Sequence, residues 1–170
     1  MKYLYIIRHA KAEPSAHDLD DHDRKLVAKG INRANSLSNW LKNKTPNIEK
    51  IYCSSSKRTI ETADILVNGL SKLVNRTIDK ELYAASEEKM INYISLIEDK
   101  INSVGLVGHQ PGLQELAYTL VGNYAEGYDK VLDSNFSTSS AILVGLNIKR
   151  WDQVSPRVGI LADYFDSKNS

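Results

Sequence analysis

Cysteine is almost missing from this 170-residue chain: Cys53 stands alone. No internal disulfide can form, the multi-cysteine zinc spacings are excluded, and a lone thiol fits a reducing cytosol. Neither sign of charge is in excess. Lys plus Arg number 22 against 21 Asp plus Glu, a formal net charge of +1, so there is no broad positive field for nucleic acid or an anionic membrane, and an anion must be held locally. Nowhere do about 18 uncharged apolar residues follow one another, the length that crosses a bilayer. Met1-Lys2 before Tyr3-Leu4-Tyr5-Ile6-Ile7 looks like the start of an export signal, but Arg8 and His9 end the run too early. Repeats, linkers, heptads and low-complexity segments are also lacking. The expectation is one soluble, cytoplasmic, monomeric domain, 1–170, without nucleic-acid or membrane partners.

What is present alternates between strand and helix signals. Tyr3 to Ile7 is a continuous apolar run, the mark of a strand covered on both faces. Helical spacing from Leu26 to Lys42 predicts an amphipathic helix, stopped by Thr45-Pro46-Asn47. Ile48 to Cys53 reads as a second strand, with Ser54 to Ser56 as caps for a helix through Leu70. A strand at Thr77 to Leu82, a helix at Ser86 to Ile97 and a strand at Ser103 to Val107 follow. Pro111 then opens a helix reaching Leu120. Tyr124 to Ser137 reads as a loop, of which Tyr124 to Asn135 is expected to wall the ligand crevice. Ser140 to Leu146 and Arg157 to Leu161 read as an antiparallel strand pair, and Lys168-Asn169-Ser170 as a disordered end. This order predicts an α/β protein, a three-layer α/β/α sandwich around a mostly parallel central sheet.

Ligands of such sheets bind beyond the carboxyl ends of the strands. Three of those ends read Arg8-His9-Ala10, Ser54-Ser55-Ser56-Lys57-Arg58-Thr59 and Gly108-His109-Gln110-Pro111-Gly112. Each delivers Arg or His. Two guanidinium forks and two imidazoles suit a phosphoryl group, whose oxygens a fork matches in pairs. A histidine can attack phosphorus and carry the group as an N–P intermediate, while its cationic neighbours stabilise the equatorial oxygens. No metal or cofactor is called for. Taken singly, His9 and His109 are also readable as hydrogen-bonded residues at sheet edges; their joint placement carries the catalytic reading.

These motifs resemble those of the histidine phosphatase superfamily, also called phosphoglycerate mutase-like. Arg8-His9-Ala10 is similar to its signature, with Ala10 where glycine is usual, and Arg58 followed by Thr62-Ala63 and the Gly108–Gly112 segment resemble its second and third motifs. Chain length, Arg24-Lys25-Leu26 before Gly30, Leu82-Tyr83, and Ser139-Ser140-Ala141 leading to Trp151 resemble the small SixA-type phosphohistidine phosphatase branch. The resemblance implies His9 as nucleophile, Arg8 and Arg58 as phosphate clamps, His109 as the second imidazole, and Arg24 as a further phosphate ligand. Lys25 stands where that branch usually has proline.

The superfamily's ester phosphatases supply a carboxylic acid after the third strand, to protonate the departing oxygen. The resembling position here is Ala84, which leaves Glu81, Glu87 and Glu88 as candidate substitutes. Imidazole titrates near 6.5 and water near 15.7, a gap of about nine units or on the order of 12 kcal/mol if fully expressed. A site without a dedicated acid would therefore favour phosphohistidine over an alkyl phosphate. The expected partner is a phosphohistidine-bearing protein such as a phosphotransfer domain. A small phosphorylated metabolite is the alternative substrate, and a phosphate- or phosphoprotein-binding module without turnover is the non-enzymatic reading. Asp18, Asp20, Asp21 and Asp23, with His17 and His22, read as a solvated loop rather than a metal site, with Asp23 pairing Arg24. Cys53 reads as core.

Overall fold

In the computed structural model, which describes residues 1–71, 73–134 and 136–169, the first apolar run forms β1 (Lys2–Arg8). Successive side chains of a strand point to opposite faces, and both faces are buried here. Leu4 and Ile6 belong to one apolar cluster, Tyr5 and Ile7 to the other. The chain continues through α1 (Ala28–Lys42), β2 (Lys50–Ser54), α2 (Lys57–Gly69) and β3 (Asn75–Asp79). Then come α3 (Glu87–Ser95), β4 (Ser103–Gly108), α4 (Gly112–Leu120), β5 (Val121–Tyr124), β6 (Ala141–Leu146) and β7 (Gly159–Phe165).

The seven strands form one sheet in the order β3-β2-β4-β1-β6-β7-β5. β3, β2, β4 and β1 are parallel neighbours, β6 is antiparallel to both β1 and β7, and β5 is parallel to β7. Leu37 and Leu41 of α1 and Ala63 and Leu66 of α2 pack on the face that carries Tyr5, Ile51 and Val107. Met90 and Ile94 of α3 and Leu113 and Leu116 of α4 pack on the opposite face, against Ile6, Tyr52 and Leu106. The result is the expected three-layer α/β/α sandwich, with a mixed, mostly parallel sheet. Each fully buried Leu or Ile contributes roughly 1.5–3 kcal/mol of transfer free energy, so the strand alternation that fills both clusters is what holds the layers together. Cys53 is fully buried in the second cluster, and burial pushes its thiol up to about 11.

Several element ends move for local reasons. α1 begins at Ala28 rather than Leu26, because Leu26 bridges Ala12 and gives its N–H to Glu61 Oε2 at 2.7 Å. β3 stops at Asp79, whose side chain accepts from the Glu81 N–H at 2.9 Å and starts a 3-10 turn over Lys80–Leu82. β7 starts at Gly159 rather than Arg157, since Arg157 has φ 63° and its N–H is taken by Thr119 O at 2.8 Å. β5 lay unseen in the sequence: four residues at a sheet edge carry too little pattern. The loop after Tyr124 packs on α4, where Gln114 Nε2 and Tyr118 Oη donate to Leu132 O at 3.0 and 2.6 Å. At the carboxyl end, Lys168 N and Asn169 Nδ2 bond Asp166 at 3.0 and 3.2 Å, so these two are tied rather than loose; Ser170 lies outside the described residues. No helix among the described residues is long and apolar enough to cross a membrane.

Candidate active site

β2, β4 and β1 lie side by side and parallel, so their carboxyl ends open at one level. The register pairs Arg8 with Gly108 and Cys53 with Val107, and the His9 N–H donates to Gly108 O at 3.2 Å. His9 and His109, each the first residue beyond its strand, therefore meet with ring centroids 5.4 Å apart. Arg58 reaches them from the first turn of α2. Ser56 occupies the N-cap position of that helix, but its hydroxyl contacts Thr59 Oγ1 at 2.9 Å instead of capping an N–H.

The hydrogen bonds assign both tautomers. His9 Nδ1 lies 2.7 Å from Ala10 O, a carbonyl that can only accept, so Nδ1 carries the proton and Nε2 the lone pair. Arg58 Nε donates to that Nε2 at 3.3 Å. In His109, Nδ1 accepts from Arg58 Nη2 at 3.3 Å and Nε2 faces Ser54 Oγ at 2.5 Å. Burial holds His9 down at about 3, aided by His109, Arg58 and Arg8; burial and then Arg58 hold His109 at about 4. Both rings are neutral at pH 7, the form in which a ring nitrogen is a nucleophile or a hydrogen-bond partner.

These groups line a cavity of about 450 Å³ together with Arg8, Arg24, Lys11, Tyr83 and Ala84. Arg8 Nη1 donates to Phe136 O at 2.6 Å, while its buried Nε has no partner among the described residues. Arg24 enters from the loop after β1, where its Nη1 donates to Glu13 O at 2.8 Å. All five sequence-predicted side chains, Arg8, His9, Arg24, Arg58 and His109, thus share one cavity. The walls contributed by the end of β1, the β3–α3 turn and Thr138 replace the expected Tyr124 to Asn135 wall: no described residue of that loop lines the cavity, and Asn135 lies outside the described residues.

The acidic loop pairs differently from the sequence expectation. Asp21, not Asp23, pairs Arg24, through Arg24 Nε and Nη2 at 3.1 and 2.9 Å from Oδ1. Its Oδ2 accepts from Arg58 Nη2 at 3.0 Å and from Tyr83 Oη at 2.7 Å. Tyr83 foremost, then Arg58 and Arg24, hold the Asp21 carboxyl at about 2. Neither Asp21 nor Tyr83 stood out in the sequence as a site residue. The signal available was Asp21 three residues before Arg24, the spacing of one helical turn, but four aspartates in six positions concealed which one turns inward. The glutamates left as possible acids do not reach the cavity. Glu81 is paired with Lys89 at 2.7 Å, while Glu87 and Glu88 lie in the first turn of α3 behind the Ser86 cap. Among the described residues, no three His, Cys, Asp or Glu side chains gather as metal ligands.

Comparison with known proteins adds the lineage of this arrangement. The model of the histidine phosphatase superfamily (branch 1) matches residues 4–86. An uncharacterized protein of Mycobacterium leprae is 32% identical over 120 residues, 69% of this chain and 72% of that protein. In structure, the chain is similar to the proposed phosphohistidine phosphatase SixA of Nakamurella multipartitia, with a TM-score of 0.84 at 21% identity over 97% of this chain and 95% of that one. It is also similar to the protein histidine phosphatase SixA complexed with tungstate, with a TM-score of 0.78 at 21% identity and 98% of each chain covered. At such identities the likeness is one of fold.

Proposed function

Because the chain belongs to branch 1 of the histidine phosphatase superfamily, we propose that it is a phosphatase acting on phosphohistidine in a protein, through a covalent phospho-His9 intermediate. The observation that carries the choice of substrate is the state of the carboxyl groups. Asp21 is the one carboxyl lining the described cavity, and at about 2 it is an anion without a proton to give. A leaving alkoxide would need that proton. An imidazole carrying its own proton on the far nitrogen does not: the His9 Nε2 lone pair forms the new N–P bond, the old one breaks, and its electrons stay on a neutral ring. Water then attacks the phospho-His9 phosphorus, releasing phosphate and restoring the lone pair of Nε2.

In this reading Arg58 and Arg8, both lining the cavity, hold the equatorial oxygens of the transferring group, with Arg24 as a third cation and His109 as a neutral ring beside it. The shared fold of the SixA structures supports this reading. A phosphorylated metabolite is the second candidate, favoured by the cavity volume of about 450 Å³, which falls in the range of small-molecule sites. The test is a panel of phosphohistidine protein, phosphoglycerate, sugar phosphate and aryl phosphate, run with native enzyme and His9→Ala. Fast release from phosphohistidine and a phosphoryl group trapped on His9 are expected. Turnover that survives His9→Ala would remove His9 as nucleophile; preference for sugar phosphate would favour the metabolite; phosphate binding without turnover would mark a binding module.

A further inference from the structure

A carboxylate in an anion-binding cavity is at first sight out of place. Simple Coulomb repulsion says that Asp21 weakens phosphate binding and that its removal would tighten it. The geometry points the other way. Asp21 begins a 3-10 turn (Asp21–Asp23) whose first N–H groups are capped by Asp20, which accepts from the His22 N–H at 2.9 Å. The loop bearing this turn is closed at its base. Ala12 bridges Leu26, Glu13 N donates to Lys25 O at 2.8 Å, and Val27 N donates to Lys11 O at 3.0 Å. At the far end, His22 Nε2 lies 2.9 Å from Ser55 Oγ, and the His22 ring stands edge-on to Tyr83 with centroids 5.0 Å apart. The carboxylate is therefore delivered to a set place rather than drifting in a solvated loop.

There it organises two guanidinium groups at once. Arg24 presents Nε and Nη2 to Oδ1, and Arg58 presents Nη2 to Oδ2 and Nη1 to the Asp21 carbonyl at 2.6 Å. With its remaining edge Arg58 spans His9 Nε2 and His109 Nδ1. A long side chain left free in the cavity would lose rotamer entropy when phosphate binds. These contacts remove that loss in advance and set the plane of Arg58 across both imidazoles. We infer that Asp21 is a positioning residue for the phosphoryl site: its carboxylate orients Arg24 and Arg58 for the incoming anion, with Tyr83 fixing the carboxylate.

The inference rests on the cavity being a phosphoryl site, and its test separates the two claims. Inorganic phosphate is titrated by calorimetry into native protein, Asp21→Asn, Asp21→Glu and Tyr83→Phe, with steady-state kinetics on aryl phosphate alongside. Asp21→Asn turns one acceptor into an NH₂ that faces donors. Charge-assisted hydrogen bonds contribute enough that its loss should raise the phosphate Kd and KM about tenfold, with a smaller change in kcat. Tyr83→Phe, a gentler change that leaves Asp21 in place, should raise Kd about two- to threefold, and Asp21→Glu should recover part of the binding. A Kd unchanged or lowered in Asp21→Asn while the native protein binds phosphate and turns over would overturn the positioning role alone. A native protein that neither binds phosphate nor dephosphorylates a phosphohistidine protein would overturn the functional reading and this role with it. A merely structural role for Asp21 would lower the melting temperature without moving Kd in the folded variants.

Discussion

Acid should unfold this protein through the two imidazoles that line the cavity. Each histidine that is neutral in the folded protein becomes protonated in the unfolded chain as the pH falls through 6.5, whereas folded His9 and His109 resist until about 3 and about 4. With folded values below the unfolded one, the unfolded state holds more protons in this window. Stability is therefore full above 6.5 and falls as the pH drops toward 4. At pH 5 each group lies about 1.5 units below its unfolded value, and at 1.36 kcal/mol per unit each contributes a loss of about 2 kcal/mol. The pair together accounts for about 4 kcal/mol between pH 7.5 and pH 5, a large share of the usual 5–15 kcal/mol. Urea unfolding at pH 7.5, 6 and 5 measures it. The native protein should show the full drop, His9→Gln about half of it, and His9→Gln with His109→Gln almost none of this part. The Cε1–H resonances of His9 and His109 should stay still over the same range. Equal pH slopes for native protein and double variant would refute the reasoning, because burial would then not be holding these rings neutral.

Two further substitutions probe the frame around the site. A Cβ at Gly30 would clash with the Lys11 backbone carbonyl, far inside van der Waals contact, where α1 meets the base of the loop, so Gly30→Ala should cost about 1–3 kcal/mol and speed proteolysis between residues 11 and 27; a melting temperature equal to the native one would show that the helix and loop are not in fixed contact. Lys2 is 2% exposed, and its Nζ donates to Asp99 O, Ile101 O and Asn102 Oδ1 at 2.5, 3.0 and 3.0 Å. Lys2→Met removes the donor to Asp99 O and Asn102 Oδ1, while Ile101 O keeps Trp151 Nε1 at 2.8 Å, and should cost about 2–3 kcal/mol by urea unfolding; a neutral result would mean that water satisfies the two acceptors.

Much of this architecture could be read from one dimension. Strand β1 announced itself because both of its faces are apolar, and the helices because burial against a sheet repeats at helical period. Their alternation led to the sheet end, where Arg8, His9, Arg58 and His109 follow β1, β2 and β4. Such features are local: a residue type, a spacing, a position just past a strand. The glutamates remained open candidates because each is adjacent in sequence to the right turn, and a few residues of helix decide whether a carboxyl faces a cavity or solvent. The four-residue edge strand β5 is too short for any period to show.

Asp21 is the clearest case of what a linear chain conceals. Asp18, Asp20, Asp21 and Asp23 are chemically alike, and nothing in their order distinguishes the one that turns inward. That choice is made by a loop pinned at Ala12 and Leu26 and by partners 3, 37 and 62 positions away, Arg24, Arg58 and Tyr83. The depressed titration of His9 and His109 has the same origin, since it follows from packing that buries the rings beside Arg58. Periodicity and side-chain chemistry specify the layers and the groups gathered at the cavity; the charge states and mutual orientation of those groups arise from contacts between residues far apart in sequence, which exist only once the chain has closed.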